Sequence, residues 1–86
     1  MITPKNLIRH ELIGLEVEVS SSTDPTLEGC RGRVIDETRN MLIIESGKRR
    51  KKVAKAICRF RFRLDTAVVE VDGRRIVGRP QDRVKK

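Results

Sequence analysis

The stretch "CRFRFRL", residues 58–64, alternates without a break. Phe60, Phe62 and Leu64 fall on one side, and Arg59, Arg61 and Arg63 on the other. A period of two suits only a strand with one buried face, because successive side chains of a strand point to opposite faces. "LEVEVS" repeats the pattern, with Leu15, Val17 and Val19 against Glu16, Glu18 and Ser20. "CRGRVIDE" reads as another strand, and Gly32 inside it marks a bend or a bulge. "NMLIIES" is continuously apolar and so central, and "KKVAK" is a short fourth strand. "AVVEV", then Asp72-Gly73, then "RRIV" predicts a hairpin on a two-residue turn. Six or seven short strands, spaced about ten residues apart, predict an all-β fold, a small antiparallel barrel.

The ends read differently. "ITPKNLIRHELIG" carries a helix signal: Thr3 can cap, Pro4 suits the first helical position and Gly14 can end it. The expected helix covers residues 4–13. Its apolar side chains Leu7, Ile8, Leu12 and Ile13 are candidates for a protein-partner surface, if they exceed what a barrel of this size covers. Arg33 and Asp36, on the strand of mixed character at 31–36, are available for polar pairing. The competing reading is that these apolar residues cap the chain's own barrel. "GRPQDRVKK" is a polar tail, expected as a short fraying helix. The 86 residues make one domain, with an extension at 1–14, a barrel at 15–77 and a tail at 78–86. No apolar run approaches the roughly 18 residues of a membrane span, and no signal-peptide core opens the chain. The expectation is a cytoplasmic protein without a membrane partner.

Charge is distributed unevenly. The net is +8 overall. Residues 1–45 carry a net of −3, while residues 46–64 carry nine cations and no carboxylate. Such a concentration is the footprint of a polyanion-binding surface; a solvated basic loop is the plainer alternative. Arg59, Arg61 and Arg63 project from one face about 6.5 Å apart, and guanidinium forks suit phosphate oxygens. Lys48, Arg49, Arg50, Lys51 and Lys52 form a basic turn beside them. The only aromatics, Phe60 and Phe62, are needed inside, which leaves no platform for base stacking. Structured RNA fits better than DNA, since no recognition helix for a major groove is visible.

Catalytic constellations are absent from the pattern. Asp36 and Glu37 are adjacent, and strand alternation sends them to opposite faces. No Gly-rich phosphate loop or nucleophile elbow occurs. His10 is the only histidine, and Cys30 and Cys58 belong to no C-x-x-C pair, too few ligands for a zinc site. Free thiols are expected, with a Cys30–Cys58 disulfide as the other state. No catalytic residue, metal ligand or cofactor is expected in this chain.

Within "GRVIDETRNMLIIE", Gly32, Val34, Asp36, Asn40 and Leu42 resemble the first motif of Sm-like proteins. Together with "ITPKNLIRHELIGLEVEV" and "VDGRRIVGRPQDRVKK", the chain resembles the archaeal ribonuclease P protein component 1 family over nearly its whole length. The resemblance implies an Sm-like or SH3-like barrel with helical or mobile ends. It implies an RNA-binding accessory subunit of ribonuclease P, the ribonucleoprotein that removes the 5′ leader from precursor tRNA. Catalysis would lie in the ribonuclease P RNA with its magnesium, and precursor tRNA would be met indirectly. The direct protein partner would be the zinc-ribbon subunit, held by the terminal extensions and the 31–36 region. The second Sm motif, apolar-Arg-Gly, is missing, so a monomer is expected rather than an Sm ring. "EGCRGRVID" also resembles the KOW pattern of ribosomal SH3-like barrels, and a stand-alone barrel endoribonuclease is a third reading.

Overall fold

The two strands with the sharpest alternation lie side by side. In the computed structural model, which describes residues 6–65, 67–79, 82 and 83, β1 (Glu16–Ser22) runs antiparallel to β5 (Cys58–Arg63). Val17 pairs with Phe62 and Val19 with Phe60. The remaining strands are β2 (Arg31–Glu37), β3 (Met41–Ser46), β4 (Arg49–Ala54) and β6 (Val68–Asp72). All six form one antiparallel sheet in the order β4-β3-β2-β1-β5-β6. Inward positions of every strand meet in one core: Val17, Val19, Val34, Leu42, Ile44, Val53, Phe60, Phe62 and Val71 are all buried. The Phe60 and Phe62 rings sit 6.0 Å apart and tilted by 39°, inside the barrel as the alternation required.

Glycine and bulges bend this sheet round its core. A Cβ on Gly32 would stand 2.1 Å from the Glu45 carbonyl oxygen, so β2 can approach β3 there only without a side chain. Register shifts between Val19 and Ser21 and between Val34 and Asp36 add curvature. The second shift keeps Asp36 exposed and turns Glu37 inward. The edge strands β4 and β6 do not pair. Two 3₁₀ turns, Lys55–Ile57 and Gly73–Ile76, pack together between them.

Three sequence expectations need correcting. The first is the helix over residues 4–13. Thr3 and Pro4 lie outside the described residues, and from Asn6 onward only a 3₁₀ turn, Leu7–Arg9, forms. In a helix the Leu12 N–H would donate to the Ile8 carbonyl. Instead it donates to Glu37 Oε1 at 3.3 Å, and the Ile8 carbonyl accepts from Arg83 Nε at 2.8 Å. Tertiary partners have taken both ends of the helical bond.

The second is the hairpin through Asp72-Gly73. The favoured two-residue turn needs positive φ at both central residues, and Gly73 does not adopt it. The Asp72 carboxylate accepts from the Arg74 N–H at 3.0 Å and from its guanidinium at 2.8 Å. That caps a 3₁₀ turn, which carries Ile76 into the core in place of a seventh strand. The third is the basic turn. Only Gly47 and Lys48 lie between β3 and β4, with Gly47 at φ 62°, so Arg49 to Lys52 are strand residues. Both cysteines are free, and burial pushes the Cys58 thiol up from its ordinary value.

A buried ionic cluster fastens the ends. The Glu37 carboxylate accepts from Lys55 Nζ at 2.7 Å and from both Arg83 Nη atoms. Lys55 Nζ also donates to the carbonyls of Thr38, Arg39 and Gly78. Arg83 donates further to the carbonyls of Ile8, His10, Ile76 and Gly78. Burial pulls the Lys55 ammonium below its ordinary 10.5, and the Glu37 carboxylate opposes this. The tail expected to fray is anchored at Arg83, which is 6% exposed.

Glu37→Gln leaves two buried cations without their counter-charge. Urea unfolding should show a loss of about 3–5 kcal/mol; a loss within about 0.5 kcal/mol, typical of surface substitutions, would contradict this role. Asp72 offers a second check. Arg74 holds its carboxyl at about 2, below the ordinary 3.8. A depressed folded value means that its contribution is complete above 3.8 and is lost as pH falls through about 2. A carboxyl-carbon NMR titration should place the Asp72 midpoint near 2, and Arg74→Ala should move it up towards 3.8.

Candidate nucleic-acid interface

Outward side chains of the sheet alternate in charge from strand to strand. β5 presents Arg59, Arg61 and Arg63, all exposed, as its alternation predicts. On one side β1 sets Glu16 opposite Arg63 and Glu18 opposite Arg61; on the other, β6 sets Glu70 opposite Arg61. Arg59 donates to Glu70 at 3.0 Å, and Arg61 reaches Glu18 and Glu70 at 3.5 Å each. The ladder continues the other way. Arg33 of β2 faces Glu16 at 3.9 Å, and Arg50 of β4 faces Glu45 of β3 at 3.2 Å. Opposite charges on neighbouring strands support a sheet, and here they neutralise it. The carboxylates that residues 46–64 lack arrive from β1, β3 and β6.

The cations proposed from sequence therefore separate. Arg50, Arg59 and Arg61 are engaged by carboxylates. Lys48, Arg49, Lys52 and Arg63 are exposed and make no side-chain hydrogen bond or ion pair among the described residues. Lys51 donates to the Thr26 carbonyl at 3.1 Å and lies near Asp24. Lys55, the ninth cation of that stretch, is buried and faces no solvent. Most of the free charge gathers at the β3–β4 hairpin, and on β5 Arg63 alone of the three arginines keeps it. Sequence reasoning passed over Arg31. It alternates with Arg33, is exposed, and also lacks a side-chain partner among the described residues; its spacing from Arg33 was the available signal. No group of His, Cys, Asp and Glu that could hold a metal ion is assembled among the described residues.

The ribonuclease P/MRP subunit p29 family model matches residues 5–86. This chain belongs to that family. Ribonuclease P protein component 1 of Methanocaldococcus jannaschii is 49% identical over 87 residues, covering 100% of this chain and 92% of the relative. The protein of the same name from Methanothermobacter thermautotrophicus is 50% identical over 88 residues, covering 100% and 95%. The solved structure of Mth11, described as a homologue of the human RNase P protein Rpp29, superposes with a TM-score of 0.63 at 47% identity. It covers 85% of this chain and 96% of that one. The sequence resemblance to component 1 and the Sm-like barrel thus hold.

In this p29-family chain the proposed protein-partner residues also divide. Leu7 and Leu12 are 0% exposed and belong to the chain's own core, so the capping reading is correct for them. Ile8 is half-buried against that core, and Ile13 is 42% exposed. Asp36 is exposed and accepts from the Glu37 N–H at 2.8 Å; Arg33 is exposed in the ladder. Ile13, Asp36 and Arg33 offer open surface of the kind expected, and Ile8 offers an edge of it. Leu12→Asp places an unpaired carboxylate in the core, at a cost of several kcal/mol, and should collapse thermal unfolding. Ile13→Asp should leave the melting temperature within a degree or two, roughly the shift of a neutral surface change. Equal losses would contradict this division.

Proposed function

We propose that this chain is an RNA-binding accessory subunit of ribonuclease P, supporting removal of the 5′ leader from precursor tRNA. Membership of the ribonuclease P/MRP p29 family supports the subunit role, as do the names its relatives carry. The observation that carries the RNA-binding part is the set of cations that no carboxylate engages, Lys48, Arg49, Lys51 and Lys52 at the β3–β4 hairpin and Arg63 at the end of β5, beside the ion-paired Arg50, Arg59 and Arg61. Cations not spent on intramolecular carboxylates are the ones that phosphates can recruit without breaking an ion pair. Guanidinium and ammonium groups position a backbone and carry little sequence information, which suits a subunit that holds a folded RNA.

Chemistry belongs to the RNA in this reading. The described residues bring together no group of His, Cys, Asp and Glu that could hold a metal ion, and magnesium would be held by the RNA. Precursor tRNA would be met through the holoenzyme. Ile13, the exposed edge of Ile8, Arg33 and Asp36 would meet the zinc-ribbon subunit, in a cytoplasmic complex that this chain enters as a monomer. No helix among the described residues is long and apolar enough to cross a membrane.

Reconstitution tests the assignment. The purified chain incubated with precursor tRNA and magnesium should cut nothing. With the ribonuclease P RNA and the zinc-ribbon subunit, it should raise the rate of leader removal above that of the RNA alone. Cleavage by the protein alone would identify an independent nuclease. No stimulation in the full mixture would remove the subunit assignment.

A further inference from the structure

An open groove of about 430 Å³ lies where the end of the β3–β4 hairpin meets the β1–β2 loop. Three of its lining residues are cations, Arg31, Arg49 and Lys51, and one is a carboxylate, Glu28. Glu28 Oε1 is turned to the Ser22 N–H at 3.4 Å. Ser46 and the apolar Ile44 lie at the floor, between the two arms. Strand geometry fixes the aim of the cations. Lys51 stands opposite Ile44 and Arg49 opposite Ser46. Ile44 is buried, so Lys51 and Arg49 continue the inner face of the sheet past the end of the core. Arg31 comes from the start of β2, on the outer face, and closes the groove from the other side.

Arg33, Arg59 and Arg61 are ion-paired with ladder carboxylates, whereas Arg31, although it stands opposite Glu18 in the register, and Arg49 make no side-chain hydrogen bond or ion pair among the described residues. Two strands thus converge three cations on one concavity beside the β1–β2 loop, where field lines concentrate. Arg49 and Lys51, two residues apart on one strand, stand roughly 6.6 Å from each other. That separation allows each to take its own phosphate along a single strand.

We propose that this groove, and not the β5 arginine row, is where the protein grips the RNA backbone, with Arg31, Arg49 and Lys51 each neutralising one phosphate. The proposal rests on the RNA-binding reading above and adds Arg31 to it. Arg59 and Arg61 keep the sheet together and contribute little to RNA affinity.

Salt titrations of binding to the cognate ribonuclease P RNA transcript separate the possibilities. With about five phosphates neutralised, the wild type should show a log–log slope of about −3.5 to −4.5. The triple variant Arg31→Gln, Arg49→Gln, Lys51→Gln should make that slope shallower by about 2 to 3. Arg59→Gln with Arg61→Gln should change it by less than about 0.5, well under one contact. If Lys51→Gln loosens the loop and lowers the melting temperature, the pair Arg31→Gln and Arg49→Gln still serves. Neither side chain has an intramolecular partner to lose, and the slope should fall by about 1.4 to 1.8. A steep wild-type slope that the groove variants leave unchanged, or that the ladder pair reduces equally, overturns the groove while RNA binding stands. A wild-type slope near zero removes RNA binding itself, and the groove with it.

Discussion

One buried carboxylate organises both ends of this chain. Glu37 faces inward because a bulge lies just before it in β2. An isolated ionised carboxylate there would be prohibitively costly. Lys55 arrives from the turn after β4 and Arg83 from beyond the last 3₁₀ turn, and both sit on Glu37 Oε2. Two cations over-compensate one anion, and main-chain carbonyls absorb the remainder. Those carbonyls belong to the N-terminal segment, the β2–β3 turn and the C-terminal segment. Each segment is held by oxygens that a helix or a strand would otherwise have used. The irregular ends of the molecule therefore follow from the cluster and not from weak local propensity.

Charge does two jobs on this protein, and sheet register separates them. Where carboxylate and guanidinium strands alternate, the cations support the sheet and nearly cancel in the far field. Where the hairpin runs past the core, Glu45 makes the one ion pair of β4 among the described residues, and the rest of its charge stays available. Net charge alone cannot make this distinction, since Arg61 and Arg49 count equally in a sum. Burial makes it sharper: Lys55 carries a formal charge that no external ligand can reach.

Much of the core could be read from pattern. The alternation around Phe60 and Phe62 put both rings inside, the run at 41–44 marked a central strand, and Gly32 marked the bend. The exposed positions of the β5 arginines were equally legible. Their partners were not, because strand pairing sets which charges meet: Glu18 reaches Arg61 across 43 residues of chain, and Glu70 reaches it from the next strand. The helix signal of the N-terminus failed for a related reason. Its local rules were satisfied, but Glu37 and Arg83 compete for the same backbone groups from a distance.

The sequence by itself determined the class of fold, the inward face of the alternating strands and the family, since these depend on period, composition and motif, all local properties. Tertiary structure decided which cations are free. It also turned Leu7 and Leu12 from partner surface into core, and made Arg83 an anchor where the tail was expected to fray. A charge is available or spent according to what stands within about 4 Å of it, and for this chain those neighbours come from other strands, near in sequence for Arg50 and Glu45 and far for Arg61 and Glu18, so that only the folded sheet decides which charges meet.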